Sequence, residues 1–458
     1  MIDRRRFLQN LFVAAAAPAA TLAASDRFPS PFSALRADPG GILDLPDGFD
    51  YRILAAHGDE MDDGLLVPAA ADGMAAFAGA DGNVVLVCNH ENSPGNAGTG
   101  PWGADLARFA GVPELSVYDS GAGLTPGNGG TTTIVYDPRR RTVLSRHLSL
   151  AGTELNCAGG RTPWGSWLSC EECFQSEGSS FEGGAVIRRE RRHGYVFEVP
   201  AGNPGLVDPV PLKAMGRFEH EAAAVGEESG VIYMTEDRHR SLFYRFIPNT
   251  PGQLKDGGRL QALAINGKPG HDTRNWYADG QVALRRAMPV SWVDLDDVDG
   301  DSNDLRLRGR DAGAAIFARG EGLCAFGRDF AFACTIGGPH RLGQVFLYSP
   351  SPFEGRPEET QQPGQLQLLA EAGPDSLLRN ADNVVAAPWG DLLVCEDTAD
   401  HCGIVGVRAD GSQYAIADNA YNNSELAGIC FSPDGSTLFV NVQYPGLTLA
   451  ITGPWSRI

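Results

Sequence analysis

The sequence predicts an all-β fold, a six-bladed β-propeller carrying loop and helical insertions, and three observations predict it. Short apolar runs repeatedly end in a polar or acidic knot, a second apolar run often follows after a turn, and six such units recur along the chain. Composition agrees. With 43% hydrophobic residues, 57 Gly and 30 Pro among 458 residues, the chain is too apolar for disorder and too rich in turn residues for a helical bundle.

The units follow in order. The first is "NVVLVCNHEN" (83–92), and the second is "GSWLSCEECF" (165–174) with "GYVFEVP" (194–200). The third pairs "GVIYMTEDR" (230–238) with "SLFYRFIP" (241–248), and the fourth pairs "DFAFACTIGG" (329–338) with "QVFLYSP" (344–350). "GDLLVCEDT" (390–398) with "GIVGVRADG" (403–411) makes the fifth, and "STLFVNVQ" (436–443) with "LTLAITGP" (447–454) the sixth. Their spacing is irregular, so this is not a WD-type array, and insertions between blades are expected around 95–130 and 250–310. If every knot lies at the same end of its blade, Asn89, Glu91, Glu171, Glu172, Glu236, Asp237, Glu396 and Asp397 meet at one mouth of the central channel. Carboxylates gathered without cationic partners repel one another and call for bound metal ions; the plainer reading is that these acids only punctuate turns.

Charge and leader bear on partners and location. Against 57 acidic residues stand 37 basic ones, a net charge of −20, which disfavours nucleic acid and anionic membranes. The start, "MIDRRRFLQNLFVAAAAPAATLAAS", reads as a signal peptide over residues 1–24 ahead of a single domain at 25–458. Arg4-Arg5-Arg6-Phe7-Leu8 resembles a twin-arginine export signal, although Asp3 and Gln9 depart from the usual pattern; an ordinary secretory leader is the alternative. Its Ala-rich stretch, about Leu11 to Ala24, is short and weakly hydrophobic for a membrane span, and no later segment looks like one. The expectation is a periplasmic or secreted protein with no stable membrane span.

Nine cysteines (Cys88, Cys157, Cys170, Cys173, Cys324, Cys334, Cys395, Cys402 and Cys430) are an odd number for an exported chain. Buried thiols are the default, and a metal-binding thiol the sharper reading. Cys170-Glu-Glu-Cys173 is weak as a zinc motif because no second CxxC follows. The acidic run from Asp294 is no calcium loop either: with Gly300 in the sixth place, Leu295 and Arg306 fall on the first and twelfth ligand positions. Nucleotide-binding and serine-hydrolase glycine patterns are missing from the sequence.

Five local clusters carry the chemistry. They are Asn89-His90-Glu91, the stretch from Cys157 to Glu172, Glu219-His220-Glu221, Arg319-Gly320-Glu321 and the segment holding Asp382, Asn383, Glu396 and Asp397. A lone thiol is usually inert, yet beside carboxylates and a metal it becomes a ligand. Arg319 suits an ion pair with Glu321 or bidentate binding of phosphate. His220 alone is most simply a hydrogen-bonded core histidine, and Trp164 and Trp167 most simply fill blades.

Taken jointly, Asn156-Cys157-Ala158-Gly159-Gly160, Thr162-Pro163-Trp164-Gly165, Trp167-Leu168, Cys170-Glu171-Glu172, His220-Glu221, Arg319-Gly320-Glu321-Gly322 and "ELAGICFSPDGSTLFVNVQYPG" resemble the PhoX alkaline phosphatase family, in its compact branch. The resemblance runs from about Tyr51 to the C-terminus. It implies a propeller phosphatase acting on small phosphate esters at a pair of ferric ions with calcium. It makes Cys157 the iron-binding thiolate, Glu172 and Glu221 carboxylates of the cluster, and Glu321 a bridging or calcium-side carboxylate. Arg319 would bind the phosphate, and Asn89, Glu91, Glu236, Asp382 and Asp397 are candidate calcium ligands. The twin-arginine machinery is the implied export partner. One departure stands out: Asp418-Asn419 occupies the place of an arginine-asparagine pair common in that branch.

Two other readings fit parts of the same residue set. A calcium-dependent lactonase or esterase would use Asn89 and Asp382-Asn383 on one ion, but leaves Cys157 without a purpose, since a thiolate is a poor partner for calcium. A non-catalytic binding propeller would use metals only to brace its blades.

Overall fold

The computed structural model describes residues 30–96 and 98–455, so the signal segment 1–24 lies outside the described residues. Strands dominate, and the single α-helix among the described residues is Leu305–Asp311. None of their helices is long and apolar enough to cross a membrane.

Six strands form a ring around the molecular axis: Ala71–Ala78, Asn156–Arg161, His220–Val225, Gly320–Phe326, Ala381–Ala386 and Leu426–Phe431. Each packs on the next, and the last returns to the first. They are the inner strands of a propeller, and from each an antiparallel sheet extends outward. Four-stranded sheets carry the first and last, and a three-stranded sheet the second. The third and fourth share one nine-stranded sheet, joined edge to edge through Met288–Asp294; the division into six units follows when that sheet is split there. In the last unit the outer strand is Asp50–Ala56 from the N-terminal side, which pairs with Leu447–Thr452 and closes the ring. Leu43–Asp44 covers the outer edge of the fifth.

The inner strands approach closely, and small residues permit it. A Cβ built on Gly160 would lie 2.2 Å from the carbonyl oxygen of Ala223 on the neighbouring inner strand, and one on Gly73 would lie 2.5 Å from Ala158 Cα. Farther out, aromatic rings fill the wedges between sheets: Phe243 stacks on Phe332 at 4.4 Å, and Phe332 on Phe346 at 5.3 Å. Each such fully buried ring stabilises the fold by about 1.5–3 kcal/mol.

Two expected insertions take different places. The 95–130 segment lies within the first sheet, linking Val84–His90 to Gly129–Asp137, because Trp102 and Tyr118 bury there against the sheet's own strands. The 250–310 segment gives two strands to the sheet, Gly258–Ile265 as the outer strand of the third unit and Met288–Asp294 as the bridge to the fourth, while 266–287 and 295–304 lie outside the named strands, the second leading into the Leu305–Asp311 helix. All nine cysteines are free thiols, eight of them buried.

The close approach of inner strands is testable. Gly160→Ala should lose about 1–3 kcal/mol from overpacking, read as a lowered urea midpoint, whereas Gly111→Ala, with open space around it, should leave the midpoint unchanged.

Candidate metal centre

One local device recurs at the head of the inner strands. In the first unit Ala71 pairs with His90, but pairing resumes only at Met74 with Cys88, so two residues oppose one. The same β-bulge follows Asn156, His220, Gly320 and Ala381. Its first residue is Asp72, Cys157, Glu221, Glu321 and Asp382 in turn. A bulge re-aims a side chain out of the pleat, and here it does so five times at one end of the channel. The residue just before the inner strand has left-handed backbone in four of these units: Ala70, Leu155, Arg319 and Asn380, with φ between 48° and 55°. In the sixth unit the bulge falls after Ala427, and Gly428 occupies it.

In five of the six units a side chain follows the second strand at the same end: Glu91, Glu172, Asp237, Asp397 and Gln443. The bulge residues, with Glu91, Glu172 and the loop residue Glu425, form three groups of donors whose ligating atoms lie within 4.8 Å of one another: Cys157, Glu172 and Glu221; Glu221, Glu321 and Asp382; and Asp72, Glu91 and Glu425. Glu221 belongs to two groups. Its Oε2 is 3.1 Å from Cys157 Sγ. Gln443 Nε2 donates to both Asp72 Oδ2 and Glu91 Oε2 at 2.8 Å, tying the third group together.

Burial sets the electrostatics. Cys157, Glu221 and Glu321 are at most 3% exposed. Loss of water, then the nearby Glu321 and Glu172 carboxylates, pushes Glu221 well above the usual carboxylate range. Burial, followed by Glu221 and Glu172, likewise raises the Cys157 thiol. Like charges this close retain protons unless cations replace them. The donor sets fit cations of two kinds. One thiolate with carboxylates suits a transition metal, and the two all-oxygen groups suit a hard ion such as calcium.

Arg319 borders this cluster. Asp237 grips its guanidinium at Nε and Nη2 (2.5 and 2.7 Å), and Nη2 is 3.1 Å from Glu321 Oε1. The plane of the fork is thereby set.

The structure thus brings Cys157, Glu172, Glu221, Glu321, Asp382 and Glu91 into the donor groups and Arg319 beside them. Three expected calcium ligands fall outside these groups. Asn89 is fully buried, its Oδ1 accepts from Trp167 and Ser169, and its Nδ2 donates to the carbonyls of Cys157 and Ala158. Glu236 accepts from Tyr244 and faces Arg306 at 3.8 Å, and burial brings it up to about 7. Asp397 stands outside the three groups. Asp72 and Glu425 were not foreseen. Asp72 had a signal: it opens an apolar run and precedes Gly73, as Glu321 precedes Gly322 and Cys157 precedes Ala158.

The two adjacent glutamates part company. Glu172 reaches the cluster, whereas Glu171 points into the second unit, accepting from His193 Nδ1 at 2.7 Å and from the amides of Glu154 and Gly194. Burial alone would lower His193, but Glu171 and Glu154 beside it push it up to about 10. Asp119, from the 95–130 segment, lies 3.3 Å from its Nε2. His220 is the core histidine of the plainer reading. It stacks on Phe218 at 3.6 Å, its Nε2 meets Gly216 O, and burial pulls it down to about 3. Asp418 sits on the outer strand of the fifth unit, 3.3 Å from His401 Nδ1.

Comparison with known proteins gives a family. A family model described as alkaline phosphatase PhoX matches residues 30–110 and 128–446. The curated proteins contain no match. Among solved structures, the chain resembles Pseudomonas fluorescens PhoX in complex with vanadate, a transition state analogue, with a TM-score of 0.67 and 18% identity over 93% of this chain and 98% of that one. A Xanthomonas campestris gluconolactonase follows at a TM-score of 0.39 and 12% identity, over 89% of this chain and 96% of that one.

The charge state of His193 has a measurable consequence. Its folded pKa lies above the unfolded value of about 6.5, so its stabilising contribution is complete below that pH and fades as pH rises towards 10. The difference in urea midpoint between the wild type and His193→Gln should therefore narrow from pH 6 to pH 10. A difference constant over that interval would contradict the assignment.

Proposed function

Because the chain belongs to the alkaline phosphatase PhoX family and is a phosphomonoesterase, we propose that it hydrolyses small phosphate esters at the mouth of the inner-strand ring. The observation that carries this reading is the convergence of Asp72, Cys157, Glu221, Glu321 and Asp382 from five bulges onto three shared donor groups.

In this reading Cys157, Glu172 and Glu221 would hold iron, and Glu221, Glu321 and Asp382, oxygen donors only, would hold a hard ion such as calcium. Asp72, Glu91 and Glu425, braced by Gln443, would hold calcium. Such ions would supply neutralisation of the phosphate's charge and activation of water at mild pH. The protein's own residues do the rest. Arg319 donates to the phosphate oxygens as charge grows on them. Asp237 fixes the orientation of its guanidinium, so little side-chain freedom is lost on binding. Burial of the donors lowers the local dielectric and strengthens each of these interactions. A serine nucleophile is unnecessary.

The thiol distinguishes this reading from a calcium-only hydrolase, which has no use for it. Asp418 lies 3.3 Å from His401 Nδ1 and belongs to none of the donor groups, so the reading assigns the phosphate to Arg319. Export through the twin-arginine machinery to the periplasm or beyond belongs to the same proposal. Its supports are the Arg4-Arg5-Arg6 run, the Ala-rich stretch after it and a cluster best loaded before export.

Protein purified without chelator should contain iron and calcium and hydrolyse p-nitrophenyl phosphate at mildly alkaline pH. Cys157→Ser should lose iron while retaining calcium at the Asp72 group. Arg319→Ala should keep both metals and lose about 100- to 1000-fold in kcat/KM. Calcium alone in the wild type, or full iron in Cys157→Ser, would refute the thiolate assignment.

A further inference from the structure

A bulge leaves the carbonyl of its first residue without a regular ladder partner, and a buried carbonyl needs one. Three units meet that need in the same way. The penultimate residue of the second strand sends its side chain across to the bulge of the following unit. Asn89 Nδ2 donates to Cys157 O at 3.1 Å and Ala158 O at 2.8 Å. Thr235 Oγ1 donates to Glu321 O at 2.6 Å while accepting from the Ala222 amide in its own bulge at 3.0 Å. Asn441 Nδ2, in the last unit, donates to Asp72 O at 2.5 Å and so stitches the ring shut. All three side chains are buried to 1% exposure or less.

These contacts have one feature in common. Each ends on the main chain of a residue whose side chain is a donor in a different metal group: Cys157 in the thiolate group, Glu321 in the group shared through Glu221, and Asp72 in the group braced by Gln443. The other units place Cys170, Ala333 and Cys395 at the equivalent position. After Cys170, the carbonyl of Glu221 is approached instead by Cys157 Sγ, at 3.8 Å.

We propose that Asn89, Thr235 and Asn441 are positioning residues of the metal centre, each fixing the main chain from which one donor of the next unit projects. The inference rests on the metal-centre reading above. A donor displaced by a fraction of an ångström loses affinity, and removing a group that orients a ligand typically costs 10- to 100-fold in metal binding. Asn89 therefore has its part in the site through Cys157 rather than as a calcium ligand.

Thr235 allows the cleanest test, because Thr235→Val keeps shape and strand preference while deleting the hydroxyl. Calcium retained by the exported enzyme would be measured by dialysis against buffered free calcium, alongside its iron content and urea midpoint. Thr162→Val serves as the control, since it deletes a buried hydroxyl bonded to Ser166 in the turn at the end of the second unit opposite its donors Cys157 and Glu172. Thr235→Val should weaken one calcium site about 10- to 100-fold, Thr235→Ser should restore it, and Thr162→Val should lose stability without losing calcium. Should Thr235→Val not fold, Thr235→Ala carries the same expectation. Calcium affinity unchanged in Thr235→Val, no recovery in Thr235→Ser, or an equal loss in Thr162→Val would overturn the inference. Wild type holding neither iron nor calcium would overturn the metal-centre reading, and this inference with it.

Discussion

One extra residue in each inner strand is the constraint on which the rest of the mouth depends. Regular pairing would alternate side chains between the two faces of a sheet, leaving the strand ends pointing at neighbouring sheets. The bulge turns one residue out of that alternation. Repeated around a ring, it converts five local irregularities into a single convergent set: Asp72, Cys157, Glu221, Glu321 and Asp382. Small residues after the donors, Gly73, Ala158, Ala222 and Gly322, let the inner strands come close enough for the donors to meet. At Gly428, a side chain would collide with Asp72 O at 2.1 Å. The sixth bulge therefore serves closure of the ring and leaves its donor, Glu425, to the preceding loop.

Such a centre is costly to build without cations. Desolvation and mutual repulsion hold protons on Cys157 and Glu221 in the metal-free protein, and metal binding must displace them. The scaffold offsets this with rigid surroundings. Behind the second unit, Arg189 is 2.7 Å from Glu154 and 2.8 Å from Glu182, and His193 joins Glu171 to Asp119. These buried acids have cationic partners, so they brace the fold. At the mouth, Arg319 lies 3.1 Å from Glu321 at the edge of the cluster.

Much of this was legible in the sequence, for identifiable reasons. Strand runs ending in knots put the acids at one end, because the second strand of each unit finishes at the mouth, as Glu171, Glu236 and Glu396 do. Cys157, Glu172, Glu221, Glu321 and Arg319 came from motifs specific to a family, and composition alone would not have found them. What sequence could not resolve was side-chain direction. Glu171 and Glu172 are neighbours with opposite facings, and Asn89 carries oxygen suited to calcium yet hydrogen-bonds to four groups of the second unit. Asp72 is hard to see because the inner strand "ADGMAAFA" looks like an ordinary small-residue run and the apolar-run signal of its unit lies in the second strand. Glu425 lies in a turn before the last inner strand, where no periodicity marks it.

The account stands on metals occupying the three donor groups, and anomalous diffraction from crystals of protein purified without chelator tests that most directly. Data collected on either side of the iron absorption edge should give a peak between Cys157, Glu172 and Glu221, with density insensitive to that edge at the Asp72, Glu91 and Glu425 group. An iron peak elsewhere, or protonated carboxylates paired directly across an ion-free mouth, would contradict it.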